Sequence, residues 1–235
     1  MSESVYVVIE GIDGAGKTLS SKTLYKTICE ATGESPVELT EPQKLHGTVG
    51  AEIRTRLTEG PELAAWEAVG LFTADRIQLA RTILTPTLKS GRIVIQDRNW
   101  LSTCVFNGCW GNPDYDQPAR PFGQWLAGFY ARTMPLPDLV ILLDLDRKTA
   151  ETRLAARAKE TGRKLDQFDR DGKHEERRKR YLDLVKAGHG KWWIKDVTID
   201  ASKSEKTVAA AVWKAVKPVL KAKGRKVKMR ESSRA

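Results

Sequence analysis

The stretch VVIEGIDGAGKTLSSKTL, from Val7 to Leu24, constrains this chain more than any other part of it. An apolar run ends at Glu10, a glycine-rich turn follows, and a helical pattern begins at Lys17. Gly11-Ile12-Asp13-Gly14-Ala15-Gly16-Lys17-Thr18 satisfies G-x-x-x-x-G-K-[ST] at every fixed position. Glycines let the backbone fold tightly, so that its N–H groups converge on anionic oxygens. The helix that follows adds its positive end. The loop is predicted to cradle the phosphates of a nucleotide, with Lys17 neutralising the β and γ phosphates and Thr18 offering a hydroxyl to Mg²⁺.

Further strands are predicted at Pro36–Glu41, Arg92–Asp97, Leu139–Leu145 and Val197–Asp200, after a first one at Val5–Glu10. Several are continuous apolar runs, the pattern of strands buried on both faces of a parallel sheet. The stretches between them suit crossover helices. One runs from Gly16 to Gly33, one from Trp66 to Leu88, and a last one from Lys203 to Leu220 carries Val208, Val212, Val216 and Leu220 inward. Strand and helix in alternation predict a three-layer α/β fold with a mainly parallel sheet. Ligands in such folds bind beyond the carboxyl ends of the strands, which places a site near Gly11, Pro42, Arg98 and Asp144–Asp146.

At 235 residues with 40% hydrophobic side chains, one domain with a sizeable core is expected. No apolar run is long enough to cross a membrane, and too few residues precede the first strand for a signal peptide. Cys29, Cys104 and Cys109 lack metal-site spacing and are expected to be structural or free thiols in a reducing cytoplasm. The net charge is +10, but residues 221–235 hold seven Lys or Arg and one Glu, leaving +4 for the rest. That tail is expected to be disordered, with at most a weak contact to nucleic acid. Residues 1–220 are expected to form the folded domain.

The phosphate loop predicts nucleotide binding without naming a reaction. A GTPase switch, a motor or helicase ATPase, a small-molecule kinase and a nucleotide-dependent binding module all use such a loop. No N-K-x-D segment for guanine is present, and the length favours the kinase.

Several segments in order resemble the thymidylate kinase family of nucleoside monophosphate kinases. They are VIEGIDGAGKT, TEP (Thr40–Pro42), LFTADRIQLA (Leu71–Ala80), DRNWLSTCVFNG (Asp97–Gly108), PDLVILLDLD (Pro137–Asp146), LDQFD with RYLDL, and IDASKS (Ile199–Ser204). The resemblance implies a three-layer α/β/α P-loop kinase fold with a mainly five-stranded parallel sheet. It also implies transfer of the γ-phosphate of ATP to dTMP, with Mg²⁺, in a cytoplasmic homodimer. By resemblance, Arg98 holds the acceptor's phosphate, Asp97 lies near the metal, and Asp13 faces the acceptor sugar. Phe72 stacks on the pyrimidine, or simply packs in the core, while Arg76, four residues on, donates to a base carbonyl. Ser102, Phe106 and Asn107 line the same site, and Ser202 and Lys203 lie near the adenine. Residues 153–170, rich in basic side chains around Gly162, resemble a lid that closes over the donor phosphates; Arg157 and Arg163 are its candidate charge stabilisers, with Arg153 and Arg170 behind them.

The sequence also departs from the family. Gly14 stands where one branch has a loop arginine, Thr40 where an arginine usually grips the acceptor phosphate, and Gln167 where the lid often has arginine. Arg54 or Arg56 is a candidate to compensate for Thr40. The unusual segment Cys109–Pro121 is a candidate to reshape the acceptor mouth. These changes leave open a different acceptor, such as dUMP or a 5-substituted dUMP, and a P-loop ATPase or nucleic-acid-binding module remains an alternative.

Overall fold

The computed structural model describes residues 3–106, 119–162, 164–193 and 195–228. In chain order the elements are β1 (Val5–Glu10), α1 (Lys17–Thr32), β2 (Val37–Thr40), α2 (Val49–Glu59), α3 (Ala65–Leu79), a π turn (Ala80–Leu84), α4 (Thr85–Lys89), β3 (Ile93–Asp97), α5 (Trp100–Phe106), α6 (Ala119–Thr133), β4 (Leu139–Asp144), α7 (Arg147–Thr161), α8 (Gln167–Arg170), α9 (His174–Gly188), β5 (Lys195–Asp200) and α10 (Glu205–Ala222).

The five strands form one sheet in the order β2-β3-β1-β4-β5, and every pairing is parallel. The central strands β1 and β3 are buried along their whole length, and β4 nearly so. Continuous apolar sequence is what two covered faces require. Along β1, Val5, Val7 and Ile9 join the larger core cluster, whereas Tyr6 and Val8 pack with Leu39, Leu79, Leu84 and Val94 on the opposite face. Alternate residues of one strand thus serve two helical layers. The outer strand β5 is mostly exposed or half-buried, and its sequence is correspondingly more polar.

Two sequence expectations need correction. The helix predicted over Trp66–Leu88 is interrupted: the Thr85 N–H reaches back to the Ala80 carbonyl, five residues away, before α4 begins. Pro86, which has no N–H to donate to the preceding turn, sits where the regular pattern fails. Nor does order end at residue 220. Helix α10 runs to Ala222, and Arg225 is buried, donating to the Glu34 carboxylate and to the carbonyls of Glu3 and Gly91. The Lys228 N–H then donates to the Ala31 carbonyl at 2.8 Å. Basic composition misled the boundary because these charges have partners in the fold. Residues 229–235 lie outside the described residues, as does the segment 107–118, which holds Asn107 and most of Cys109–Pro121.

Candidate active site

The loop between β1 and α1 is shaped by close approach. A Cβ on Gly11 would lie 2.6 Å from the Leu143 carbonyl oxygen, and one on Gly14 would lie 2.8 Å from that of Ala150. Gly14 also has φ 83°, a conformation side chains rarely adopt. An arginine at position 14 is therefore excluded by the packing of the loop against α7. Helix α1 begins at Lys17 behind Gly16 with no side-chain cap, so its first N–H groups point into the loop. The Lys17 ammonium donates to the Ile12 carbonyl at 2.8 Å and lies 3.9 Å from Asp13. Burial, reinforced by the nearby Arg98, pulls its pKa down to about 8.

Thr18 donates its hydroxyl to Asp97 at 2.6 Å, joining the start of α1 to the end of β3. Hydroxyl and carboxylate are hard oxygen donors of the kind that suit Mg²⁺, which takes one or two protein ligands and fills its remaining positions with phosphate oxygens and water.

Arg98 follows directly. Its φ is 69°, and it is the one non-glycine residue among the described residues with positive φ. Such strain costs about 1–3 kcal/mol and persists only where surroundings over-determine it. They do so here: the Arg98 N–H donates to the Ile9 carbonyl at 3.0 Å. Its guanidinium donates to Asp13 at 2.6 Å, to Ser102 at 2.9 Å, and to Tyr181 and the Gly11 carbonyl at 3.2 Å. It also stands 4.9 Å over the Phe106 ring. Beneath lies Glu10, fully buried at the end of β1, which accepts from the Ser102 hydroxyl, the Tyr181 hydroxyl and the Asn99 N–H. Burial raises the Glu10 carboxyl, against the pull of Arg98. Sequence reasoning missed Glu10 and Tyr181; the acidic residue ending an otherwise apolar β1 was the available signal.

One cavity of about 680 Å³ joins these groups. Asp13, Gly14, Gly16, Lys17, Thr18, Asp97 and Arg98 line it, together with Phe72, Ser102, Phe106 and two arginines of α7, Arg153 and Arg157. Arg153 donates to the Ala201 carbonyl at 3.0 Å, while Arg157 is exposed toward solvent. Arg163 lies outside the described residues, and Arg170 is exposed away from the lining set. Of the two arginines weighed as replacements for one at position 40, Arg54 lines the cavity beside Thr40, whereas Arg56 pairs with Glu67 at 2.6 Å. Ser202 and Lys203 are bound to Asp200 in a turn and are not among the cavity's lining residues.

Arg76 is placed differently from its expected position on the cavity wall. It is buried, with its guanidinium donating to Glu41 at 2.5 Å and to the Thr103 hydroxyl at 2.9 Å, and it packs 4.7 Å over Tyr130. Thr103 itself lines the cavity, so Arg76 stands one side chain behind the wall. Glu41 explains this position. Burial pushes its carboxyl up to about 7 even beside Arg76, and it needs a cation and the Gln96 amide, 2.8 Å away, to stay there. Gln167 is also buried, accepting from the Leu63 N–H at 2.9 Å. It ties the segment after α7 to the start of α3 and carries no charge to the phosphates.

The family model described as thymidylate kinase matches residues 9–212. A thymidylate kinase of Pelotomaculum thermopropionicum is 33% identical over 222 residues, covering 92% of this chain and 94% of the relative. A probable thymidylate kinase of Thermococcus gammatolerans is 33% identical over 192 residues, covering 77% and 83%. A thymidylate kinase of Clavibacter michiganensis is 31% identical over 209 residues, covering 88% and 92%. A strand-loop-helix cradle whose cavity also holds Arg98 at the end of β3, together with these matches along nearly the whole chain, shows that the protein belongs to the thymidylate kinase family.

Proposed function

We propose that the protein transfers the γ-phosphoryl group of ATP to dTMP, giving ADP and dTDP for deoxynucleotide synthesis. The observation that carries this reading is the single cavity that holds Lys17 and Thr18 at one side and Arg98, Phe72 and Phe106 at the other. A phosphoryl group passes between two nucleotides only when both are held in one water-poor space. The acceptor's phosphate oxygen would attack the γ-phosphorus in line as the bond to the β-phosphate oxygen breaks. Little covalent chemistry falls to the protein, so positioning and charge neutralisation supply the rate. The uncapped start of α1 and Lys17 bind the donor phosphates. Arg153 and Arg157 bring charge from α7, and Arg98 orients the acceptor. Thr18 and Asp97 would hold Mg²⁺, which neutralises charge on the phosphate oxygens when bound. Phe72, half-buried on the wall, offers a ring for stacking on the base, and Ser102 and Thr103 offer hydroxyls. Asp13, held by Arg98 at 2.6 Å, would face the acceptor sugar.

A coupled assay with Mg-ATP against deoxy- and ribonucleoside monophosphates tests this directly. dTMP is expected to give the highest kcat/KM. DNA-stimulated phosphate release without a phosphorylated mononucleotide would replace the kinase by an ATPase; dUMP or a 5-substituted dUMP as best acceptor would change the substrate and keep the chemistry.

The same reading includes a homodimer in the cytoplasm. Trp66 and Ile77 on α3 and Trp125 and Phe129 on α6 are exposed, and Thr73 of α3 bonds Tyr130 of α6, so the two helices are neighbours. Large exposed apolar side chains on adjacent helices favour association. Light scattering is expected to give twice the 26.3 kDa chain mass.

A further inference from the structure

Arg98 alone does not balance the charge of an acceptor monophosphate. A phosphomonoester carries about −1.5 to −2 at neutral pH, whereas the Arg98 guanidinium already faces Asp13 at 2.6 Å. Burial would raise the Asp13 carboxyl, but Arg98 and Lys17 together hold it well below the ordinary carboxylate range. The pair is therefore close to neutral as a unit. Thr40, at the end of β2 and in register with Asp97, lines the cavity without charge.

Four residues beyond Thr40, Lys44 lines the same cavity. Its backbone position is fixed from both sides. Gln43 is buried and bonds Asp75 through its N–H at 3.0 Å and through its side-chain amide at 2.8 Å. Arg54 of α2 donates to the carbonyls of Pro42 and Gln43. A Cβ on Gly50 would fall 2.1 Å from the Gln43 nitrogen, so α2 is packed hard against this loop. Yet the Lys44 side chain, held out by so rigid a base, forms no ion pair or hydrogen bond among the described residues. Partial burial, then the repulsion of Arg54, Lys22 and Arg157, lowers its pKa against the attraction of Asp97. Several cations thus crowd one space with too few carboxylates, an arrangement that an anion relieves. Lys44 comes from the β2–α2 loop and shares the cavity lining with Thr40 and with Arg54 of α2 and Phe72 of α3, elements other than the phosphate loop and α7.

We propose that Lys44 is a substrate-binding residue whose ammonium grips the monophosphate group of the acceptor nucleotide together with Arg98, supplying the charge that Thr40 lacks. This rests on the monophosphate-kinase reading. Lys44 acts on the acceptor's phosphate whatever its base, so it sets acceptor affinity rather than base choice.

The test compares wild type, Lys44→Ala, Lys44→Arg and the double variant Thr40→Arg/Lys44→Ala, by steady-state kinetics and by calorimetric titration of dTMP. Lys44 is exposed and outside the core, so matched melting curves are expected. Lys44→Ala should raise the KM and the Kd for dTMP by about ten- to a hundredfold, the worth of one hydrogen bond to a charged group, with the KM for ATP changed by less than about threefold. Lys44→Arg should stay near wild type, and Thr40→Arg should restore much of the loss. Unchanged dTMP affinity in Lys44→Ala, or equal losses for ATP and dTMP, would overturn the assignment while leaving the kinase intact. Wild type that binds dTMP through Lys44 but never phosphorylates it would instead sink the reaction and keep the site.

Discussion

Lys17 carries its charge under pressure, because burial and Arg98 both disfavour the ammonium. Its folded pKa of about 8 lies below the ordinary 10.5, so the folded chain sheds this proton before the unfolded chain does. A buried ammonium therefore opposes folding below pH about 8, and that cost is relieved as pH rises toward the unfolded value. Triphosphate binding needs the charged form. The kcat/KM for ATP is expected to fall as pH rises through about 8, by about tenfold per unit beyond it; a flat profile to pH 10 would contradict this. Phe72 gives a complementary test. Replacing it with alanine should raise the KM for dTMP about tenfold, the lower range for a stacked base, and leave that for ATP unchanged; equal losses would assign the ring to packing. At this scale the sequence made the phosphate loop, Asp97 and Arg98 legible because each sits at a strand end, whereas Phe72, in the middle of α3, stood out only by resemblance to the family. Arg76 was legible as a residue but not in its position, since its partner Glu41 comes from another strand end and is buried beside it only in the fold.

The strands and their succession along the chain were readable from apolar runs, and helix termini from glycines, but the sheet order β2-β3-β1-β4-β5 was not. Gly33, for example, closes α1 with φ 75°. The π turn at Ala80–Leu84 was not, because the amphipathic pattern continues through it and only the hydrogen-bond partner changes. The segment after α7 shows the same limit. Asp166 and Asp169 form a capping box that starts α8, and Gln167 then fastens this short helix to Leu63. Gln167→Ala leaves the buried Leu63 N–H without its acceptor, costing about 1–3 kcal/mol. The expected readouts are faster hydrogen exchange at Leu63 and a lower melting temperature, with kcat reduced as the α7–α8 segment loosens. Protection at Leu63 equal to wild type would show that the tether is dispensable.

Across the whole molecule, Glu3, just before β1, is tied to the segment that follows α10 by two basic side chains. Arg225 reaches the Glu3 carbonyl, the Glu34 carboxylate and the Gly91 carbonyl, while Lys223 pairs with Glu3 and Asp138 at 3.1 Å. Arg225→Ala removes a buried cation and with it three partly buried hydrogen bonds, and is expected to cost about 2–4 kcal/mol. At about 2–4 °C per kcal/mol for a domain of this size, thermal denaturation should shift down by about 5–15 °C with dTMP kinetics unchanged. A shift below 2 °C would make the clasp ornamental. Local order in the sequence determined the parallel sheet, the phosphate cradle and the strand ends that carry Asp97 and Arg98, because periodicity and turn chemistry act over a few residues. Only the tertiary structure decided which charges are spent and which are left to work. Arg76, Arg98 and Arg225 find their carboxylates across 35, 85 and 191 residues of chain, whereas Lys44 forms no ion pair among the described residues, and ion pairing depends on distance through space rather than along the sequence.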